Sequence, residues 1–336
     1  MKHLGTFSAS SSRTFRILVT RRLPLPAMER LQAHAALVLW DRDTVAPRDW
    51  LEAYSAEVDA ILCLLTDRID AALLARAPRL RVVSTMAVGY DHIDIQACTA
   101  RGVPVGYTPG VLTDTTADFA FALLLAAARR LPEALKYVEQ GRWTTWSPTL
   151  LLGRDLHGAT LGIVGFGRIG QAVARRATGF GMRILAYRAS TSSHQIESVE
   201  FVDFPTLLRE SDFVSLHVPL TEQTYHMIGT RELNLMKSTA ILVNTARGGV
   251  VDHAALSAAL ANGTIGYAAL DVTEPEPLPA DDPLLQLPNC LIVPHIASAS
   301  VATRTKMALL AVENVLAGIK GERLPQCVNP EVYHAR

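Results

Sequence analysis

The feature that most constrains the fold is a glycine-spaced turn between an apolar run and a helical pattern. Residues 161–164 are apolar, Gly165, Gly167 and Gly170 follow in the spacing Gly-x-Gly-x-x-Gly, and residues 171–177 carry apolar side chains at helical intervals. A strand, a glycine turn and a helix in this order are typical of a unit that binds the pyrophosphate of a dinucleotide. We expect the turn and the helix N-terminus to contact the phosphates, through Gly165, Gly167, Arg168, Ile169 and Gly170.

Short apolar runs alternate with helical patterns on both sides of this turn. Strand patterns lie at residues 15–20, 36–40, 59–65, 80–85 and 103–107, and again at 160–164, 183–187, 212–217, 240–244, 266–270 and 290–293. This alternation predicts an α/β fold with doubly wound parallel sheets. Pro104 predicts that the run at 103–107 lies at a sheet edge. A chain of 336 residues is long enough for two such domains.

The domain boundaries follow from two long helical patterns rich in Ala and Leu. They lie at residues 113–131 and 302–317, the second ending at Gly318, and we expect them to join the two domains. The nucleotide-binding Rossmann domain is then predicted to span residues 111–302. The other domain is discontinuous, formed by residues 15–110 and 303–336, and is predicted to bind the substrate. Residues 1–14 are Ser-rich and aperiodic, which predicts a disordered extension.

The charge pattern excludes several classes of partner. The 32 Lys and Arg residues balance 32 Asp and Glu residues, and no basic run indicates binding to nucleic acid or to an anionic membrane. The longest apolar run, residues 119–128, is too short to span a bilayer. The four cysteines lack metal-ligand spacing, so no metal site is expected. With no secretory signal in the sequence, these thiols predict a reducing, cytoplasmic location.

The end of the second strand after the glycine turn predicts which nicotinamide cofactor is preferred. In NAD-binding units an acidic residue at this position accepts a hydrogen bond from the ribose 2′-hydroxyl. Here the strand is followed by Arg188, with hydroxyls such as Ser190 behind it, and no acidic residue is present. An arginine binds a 2′-phosphate by charge-assisted hydrogen bonds. The sequence therefore predicts a preference for NADP(H), with NAD(H) possible.

Polar residues follow three further strand patterns, where ligands bind in open α/β sheets. Arg247 follows the strand at 240–244, Glu274 and Glu276 follow the strand at 266–270, and His295 follows the strand at 290–293. A histidine can donate a proton to a carbonyl oxygen, and a neighbouring carboxylate would orient the imidazole and stabilise its charged form. An arginine would bind a substrate carboxylate. We favour Glu276 over Glu274, although spacing alone does not separate them.

These residues resemble the D-isomer-specific 2-hydroxyacid dehydrogenase family. The motifs that carry the resemblance lie at residues 165–170, 244–252, 270–277 and 294–296. The resemblance implies a flavodoxin-like substrate domain beside the Rossmann domain, and a catalytic set of Arg247, Glu276 and His295. It further implies cofactor contacts at Thr116, Pro219, Thr245, Arg247 and Asp271. The implied substrate contacts are Val88, Gly89, Arg247, His295, Ser298 and Trp146.

Within this family the chain resembles the glyoxylate/hydroxypyruvate reductases. The motifs lie at residues 108–118, 129–134, 141–148 and 271–279. The resemblance implies NADPH-dependent reduction of glyoxylate or hydroxypyruvate to a D-2-hydroxy acid with His295 as general acid. It also implies a homodimer in which Trp146 closes the partner's pocket.

Two alternatives remain open. The ending Cys327-Val328-Asn329-Pro330 resembles the 2-ketogluconate (2-ketoaldonate) reductases, so that activity is an alternative within the family. A nucleotide-sensing corepressor of the C-terminal-binding-protein kind is an alternative of a different class, because fold alone does not determine function.

Overall fold

The computed structural model describes residues 14–188 and 198–334. Its internal contacts divide the chain into two compact units, one formed by Met1–Pro109 with Arg304–Arg336 and the other by Gly110–Thr303. Both units contain a parallel sheet with helices in the connections between strands. The predicted α/β fold with two parallel sheets is confirmed.

The first unit contains a five-stranded sheet in the order β2-β1-β3-β4-β5. This is the flavodoxin-like order, and β5 lies at an edge as Pro104 predicted. Strands β3 and β4 are buried along their whole length, and Leu18 and Ile61 are fully inaccessible to solvent, whereas the edge strand β2 is only partly buried. Its elements are β1 (Arg16–Val19), α1 (Leu25–Gln32), β2 (Ala36–Leu39), α2 (Arg48–Ser55), β3 (Ala60–Cys63), α3 (Ala71–Ala75), β4 (Val82–Thr85), α4 (Ile95–Ala100) and β5 (Val105–Gly106).

The C-terminal segment covers the β5 edge of this sheet. The Val328 N–H donates to the Val105 carbonyl over 2.8 Å, and the Val105 N–H donates to the Asn329 side-chain oxygen over 2.8 Å. Asn329 is completely buried. Pairing an edge in this way protects its backbone groups. The motif at Cys327–Pro330 therefore has a structural part in the first unit.

The second unit contains a seven-stranded sheet in the order β12-β11-β10-β9-β6-β7-β8. The connection from β7 and β8 back to β9 reverses the direction of winding beside β6, which is the switch point of a dinucleotide-binding fold. The elements are α5 (Thr113–Ala128), α6 (Leu131–Glu139), β6 (Thr160–Val164), α7 (Arg168–Gly179), β7 (Arg183–Tyr187), β8 (Val199–Phe201), α8 (Phe204–Glu210), β9 (Phe213–Leu216), α9 (Thr230–Leu235), β10 (Ile241–Asn244), α10 (His253–Ala261), β11 (Tyr267–Leu270) and β12 (Cys290–Ile292). The last helix, α11 (Val301–Lys320), begins in this unit and continues into the first.

The two long helices differ in extent from the predictions. Helix α5 ends at Ala128, because Arg130 adopts a left-handed conformation with φ 53° before α6 begins. Helix α11 continues past Gly318 to Lys320. A Cβ at Gly318 would collide with Val82 of β4, so this glycine permits close helix–sheet packing and does not end the helix.

No helix within the described ranges is long and apolar enough to cross a membrane.

Candidate active site

The glycine turn has the geometry that its sequence predicts. Gly165 has φ 94°, and a Cβ there would lie 2.7 Å from the backbone of His217. A Cβ at Gly170 would collide with the Gly165 carbonyl, so α7 lies directly against the turn. At Gly167, the residue before α7, a Cβ would meet no atom of the described residues within 4 Å. The turn thus leaves open space beside the N-terminal N–H groups of the 12-residue helix α7. This open space fits a pyrophosphate.

A second observation at the same sheet edge also fits a bound dinucleotide. Thr245 directly follows β10, and its side-chain oxygen is buried with no hydrogen-bond partner among the described residues. Buried hydroxyls are normally hydrogen-bonded, so an unpaired one indicates a missing partner. Of the other expected cofactor contacts, Thr116 is buried in the first turn of α5 and Pro219 is exposed in the loop after β9. Ser190 and residues 1–13 of the predicted extension lie outside the described residues.

Arg188 lies immediately after β7, beside the glycine turn. The Gly165 N–H donates to the carbonyl of the preceding residue, Tyr187, over 2.9 Å. The Arg188 guanidinium carbon lies 4.2 Å from the ring centroid of Phe201, which ends β8. The cation is therefore at the carboxyl end of the second strand of the nucleotide fold, where the ribose of a dinucleotide binds.

The structure separates the two candidate acids of the loop after β11. The His295 imidazole Nδ1 donates to Glu276 Oε1 over 2.6 Å. Glu274 instead accepts a 3.1 Å hydrogen bond from His226 Nε2. The His295 side chain is 22% exposed and that of Glu276 35%, so the pair is partly shielded but open to a ligand. Such a pair can orient an imidazole for proton transfer.

The backbone at His295 is strained and is held by Asp271. His295 has φ 53°, a left-handed conformation that disfavours residues with a Cβ. The Asp271 carboxylate, only 1% exposed, accepts from the Ile296 N–H over 2.6 Å and from the Ala297 N–H over 2.9 Å. Burial raises the pKa of Asp271, while these two N–H donors oppose that rise. Asp271, expected to contact the cofactor, thus also fixes the turn that carries His295.

Arg247 lies on a loop that packs against the loop of the two acids. The Asn244 side-chain amide donates to the Arg247 carbonyl over 2.8 Å, and its oxygen accepts from the Ala246 N–H over 3.0 Å. A Cβ at Gly248 would collide with the Thr273 carbonyl. Because β10, β11 and β12 are adjacent, the loops of Arg247, Glu276 and His295 leave the same sheet edge. Asn244 and Gly248 were not predicted, although an Asn at a strand end is a known turn signal.

The remaining expected substrate contacts lie apart in the sequence. In the first unit, Val88 and Gly89 are in the loop after β4, at the carboxyl edge of its sheet, and both are partly buried. In the second unit, Ser298 is buried three residues after His295. Trp146 is 78% exposed in the loop after α6, and its contact with a partner's pocket stays a prediction.

The fold and the site define an α/β oxidoreductase that binds a nicotinamide dinucleotide. The profile of the D-isomer specific 2-hydroxyacid dehydrogenase NAD-binding domain matches residues 121–297. The glyoxylate reductase of Korarchaeum cryptofilum is 54% identical over 325 residues, covering 96% of this chain and 98% of that protein. The glyoxylate reductase of Thermococcus litoralis is 50% identical over 323 residues, covering 94% and 97%.

Solved structures of other proteins are also similar to this chain. A protein of Thermus thermophilus superposes with a TM-score of 0.89 at 46% identity, covering 94% of this chain and all of that chain. The NADPH-dependent glyoxylate/hydroxypyruvate reductase of Sinorhizobium meliloti, solved with NADP and malonate, superposes with a TM-score of 0.82 at 34% identity. The match covers 94% of this chain and 97% of that chain. The chain therefore belongs to the D-isomer-specific 2-hydroxyacid dehydrogenase family and is an NAD(P)-dependent dehydrogenase. The family resemblance found in the sequence is confirmed.

Proposed function

We propose that this enzyme reduces glyoxylate and hydroxypyruvate to D-2-hydroxy acids and prefers NADPH. The observation that carries the proposal is the 2.6 Å hydrogen bond between His295 and Glu276. This pair lies at the carboxyl edge of the nucleotide-binding sheet, where Glu276 follows β11, the neighbour of the Arg247 strand β10, and His295 follows β12, the next strand along. The curated relatives at 54% and 50% identity are glyoxylate reductases, which supports the choice of substrate.

The proposed chemistry assigns one part to each residue. When bound, the reduced nicotinamide supplies the hydride that adds to the carbonyl carbon. His295 gives its Nε2 proton to the carbonyl oxygen, while its Nδ1 proton stays hydrogen-bonded to Glu276. Arg247 binds the substrate carboxylate and polarises the carbonyl. We assign carboxylate binding also to the Val88 and Gly89 N–H groups, on the family resemblance.

We assign the phosphates of the cofactor to the glycine turn and the 2′-phosphate to Arg188. The open space at Gly167 and the unpaired hydroxyl of Thr245 support the binding of a dinucleotide. The charge of Arg188 supports NADPH, because a carboxylate at this position would repel the extra phosphate. Replacing Arg188→Asp should raise the KM for NADPH far more than the KM for NADH. Equal effects on both would contradict the assignment.

We further propose a homodimer with Trp146 at the partner's pocket. Helix α6 has no buried residue, and its apolar side chains are open to solvent: Leu135 is 64% exposed and Val138 54%. Trp143 and Trp146, 62% and 78% exposed, follow in the next loop. Such a patch indicates a protein interface. Sedimentation should show a dimer, and Trp146→Ala should change the preference among 2-oxo acids. A monomeric protein whose Trp146→Ala variant keeps the same substrate preference would refute this part.

The four free cysteines support the cytoplasm as the location.

The experiment that tests the activity is a panel of 2-oxo acids with NADPH and NADH, followed at 340 nm. Glyoxylate and hydroxypyruvate should be reduced faster than 2-ketogluconate, and the reverse order would favour the 2-ketoaldonate reductase alternative. His295→Ala should lower kcat by roughly 10²–10⁴-fold. A protein that binds NADPH and reduces none of these acids would support the corepressor alternative.

A further inference from the structure

We propose that Phe201 is a specificity-determining residue, because its ring holds the Arg188 guanidinium in position to bind the 2′-phosphate of NADPH. The inference rests on the cofactor preference proposed above. It concerns a residue that lies on a different strand from Arg188 and outside every motif that indicated the cofactor.

The ring of Phe201 connects Arg188 to the glycine turn. Phe201 is the last residue of β8 and pairs in register with Ala186 of β7. The guanidinium carbon of Arg188 lies over this ring, 4.2 Å from the ring centroid. The ring also contacts Phe166 edge to face, with centroids 5.2 Å apart and planes at 83°. Phe166 lies between the first two glycines of the turn, so the position of the cation is set relative to the pyrophosphate site.

This contact leaves the arginine able to bind a phosphate. A guanidinium stacks through its flat face, while its five N–H donors lie in the plane and point outward. Arginine also loses side-chain freedom when it binds a ligand, and a ring that orders it beforehand lowers that entropic cost. Glu200, the acid next to Phe201, is in a 2.7 Å ion pair with Arg183 at the other end of β7. That acid is therefore engaged away from the proposed phosphate site.

The test measures cofactor binding as well as turnover. Phe201→Leu and Phe201→Met remove the ring and keep an apolar side chain, while Phe201→Tyr keeps the ring. Dissociation constants for NADPH and NADH are measured by nucleotide fluorescence, and for 2′,5′-ADP by calorimetry. The two ring-less variants should weaken NADPH and 2′,5′-ADP binding by about two- to thirtyfold, the range of a cation–π contact. NADH binding should weaken less than NADPH binding, so that the ratio of the two dissociation constants changes, and Phe201→Tyr should behave like the wild type.

Thermodynamic coupling to Arg188 separates this role from simple packing. In an Arg188→Met background, Phe201→Leu should have no further effect on NADPH binding. Equal weakening of NADPH and NADH by the ring-less variants would overturn the proposal, because it would show a structural role only. If Arg188→Met weakens NADPH binding and the ring-less variants do not, the role of Phe201 is wrong and the cofactor preference stands. If Arg188→Met alters neither cofactor, the preference itself is wrong.

Discussion

The two acids of the loop after β11 provide a matched pair of substitutions. Glu276→Gln keeps the size of the side chain and an oxygen acceptor for the His295 Nδ1 proton, but removes the negative charge. Glu274→Gln makes the same change two residues away, on an acid bound to His226. Their side chains are similarly exposed, 35% for Glu276 and 40% for Glu274. Solvent screening therefore affects both carboxylates nearly equally. A difference in kcat between the two variants then arises from the histidine that each acid binds, His295 or His226.

The hydrogen-bond geometry gives the expected size of the effect. A hydrogen bond to a charged group contributes about 1.5–3 kcal/mol, and each ~1.4 kcal/mol corresponds to tenfold in rate. Because Glu276 is partly exposed, we expect the lower part of this range, a loss of about ten- to fiftyfold in kcat. Glu274→Gln should lower kcat less than about threefold, since its partner is not a proton donor in the mechanism.

The assay is steady-state reduction of glyoxylate at saturating NADPH, with circular dichroism to show that both variants are folded. A loss in kcat that is as large for Glu274→Gln as for Glu276→Gln would refute the assignment of the two acids. Unchanged kcat for Glu276→Gln would refute the part given to the pair with His295.

Two further predictions concern stability. Gly248→Ala should lower the free energy of unfolding by about 1–3 kcal/mol and reduce kcat, because the new Cβ collides with the Thr273 carbonyl. The matched control is Gly179→Ala, whose Cβ meets open space among the described residues. Equal effects of the two substitutions in denaturant titrations would contradict the reasoning. Burial lowers the pKa of His217 from 6.5 to about 4, so the unfolded chain binds more protons between these values and stability falls as pH drops. The free energy of unfolding should decrease by about 2 kcal/mol from pH 7 to pH 5 through this group, and His217→Gln should remove that part; a difference between wild type and variant that does not depend on pH would exclude it.

Much of the fold was predictable because most of its strands are buried on both faces. A strand that is apolar on both faces gives a continuous run in the sequence, as in β6 and β10. Strand β8 has only three residues and none is fully buried, so it gives no such run. Helix α6 buries no residue within its own chain, and its apolar side chains were not recognised as a helix.

The candidate site was predictable to the level of loops and no further. Each functional loop follows a predicted strand, and parallel strands end at the same edge of a sheet. Glu274 and Glu276 are too close in sequence for spacing to show which of them contacts His295. The contact between Arg188 and Phe201 joins residues on neighbouring strands, and only the strand order reveals it. Asp271 was expected to contact the cofactor, but no sequence pattern indicates that it binds two backbone N–H groups.

The arrangement of the site depends on contacts between backbones as much as on its side chains. Adjacent strands lie about 4.8 Å apart, so the loops that carry Arg247 and His295 leave the sheet about 10 Å from each other. That spacing alone does not bring two side chains to one small substrate. Gly248 brings the arginine loop against the acid loop, and Asp271 fixes the His295 turn by accepting from two backbone N–H groups. The left-handed backbone at His295 costs roughly 1–2 kcal/mol, which these bonds offset. Gly248 therefore sets how closely the loop of Arg247 packs against the loop of Glu276.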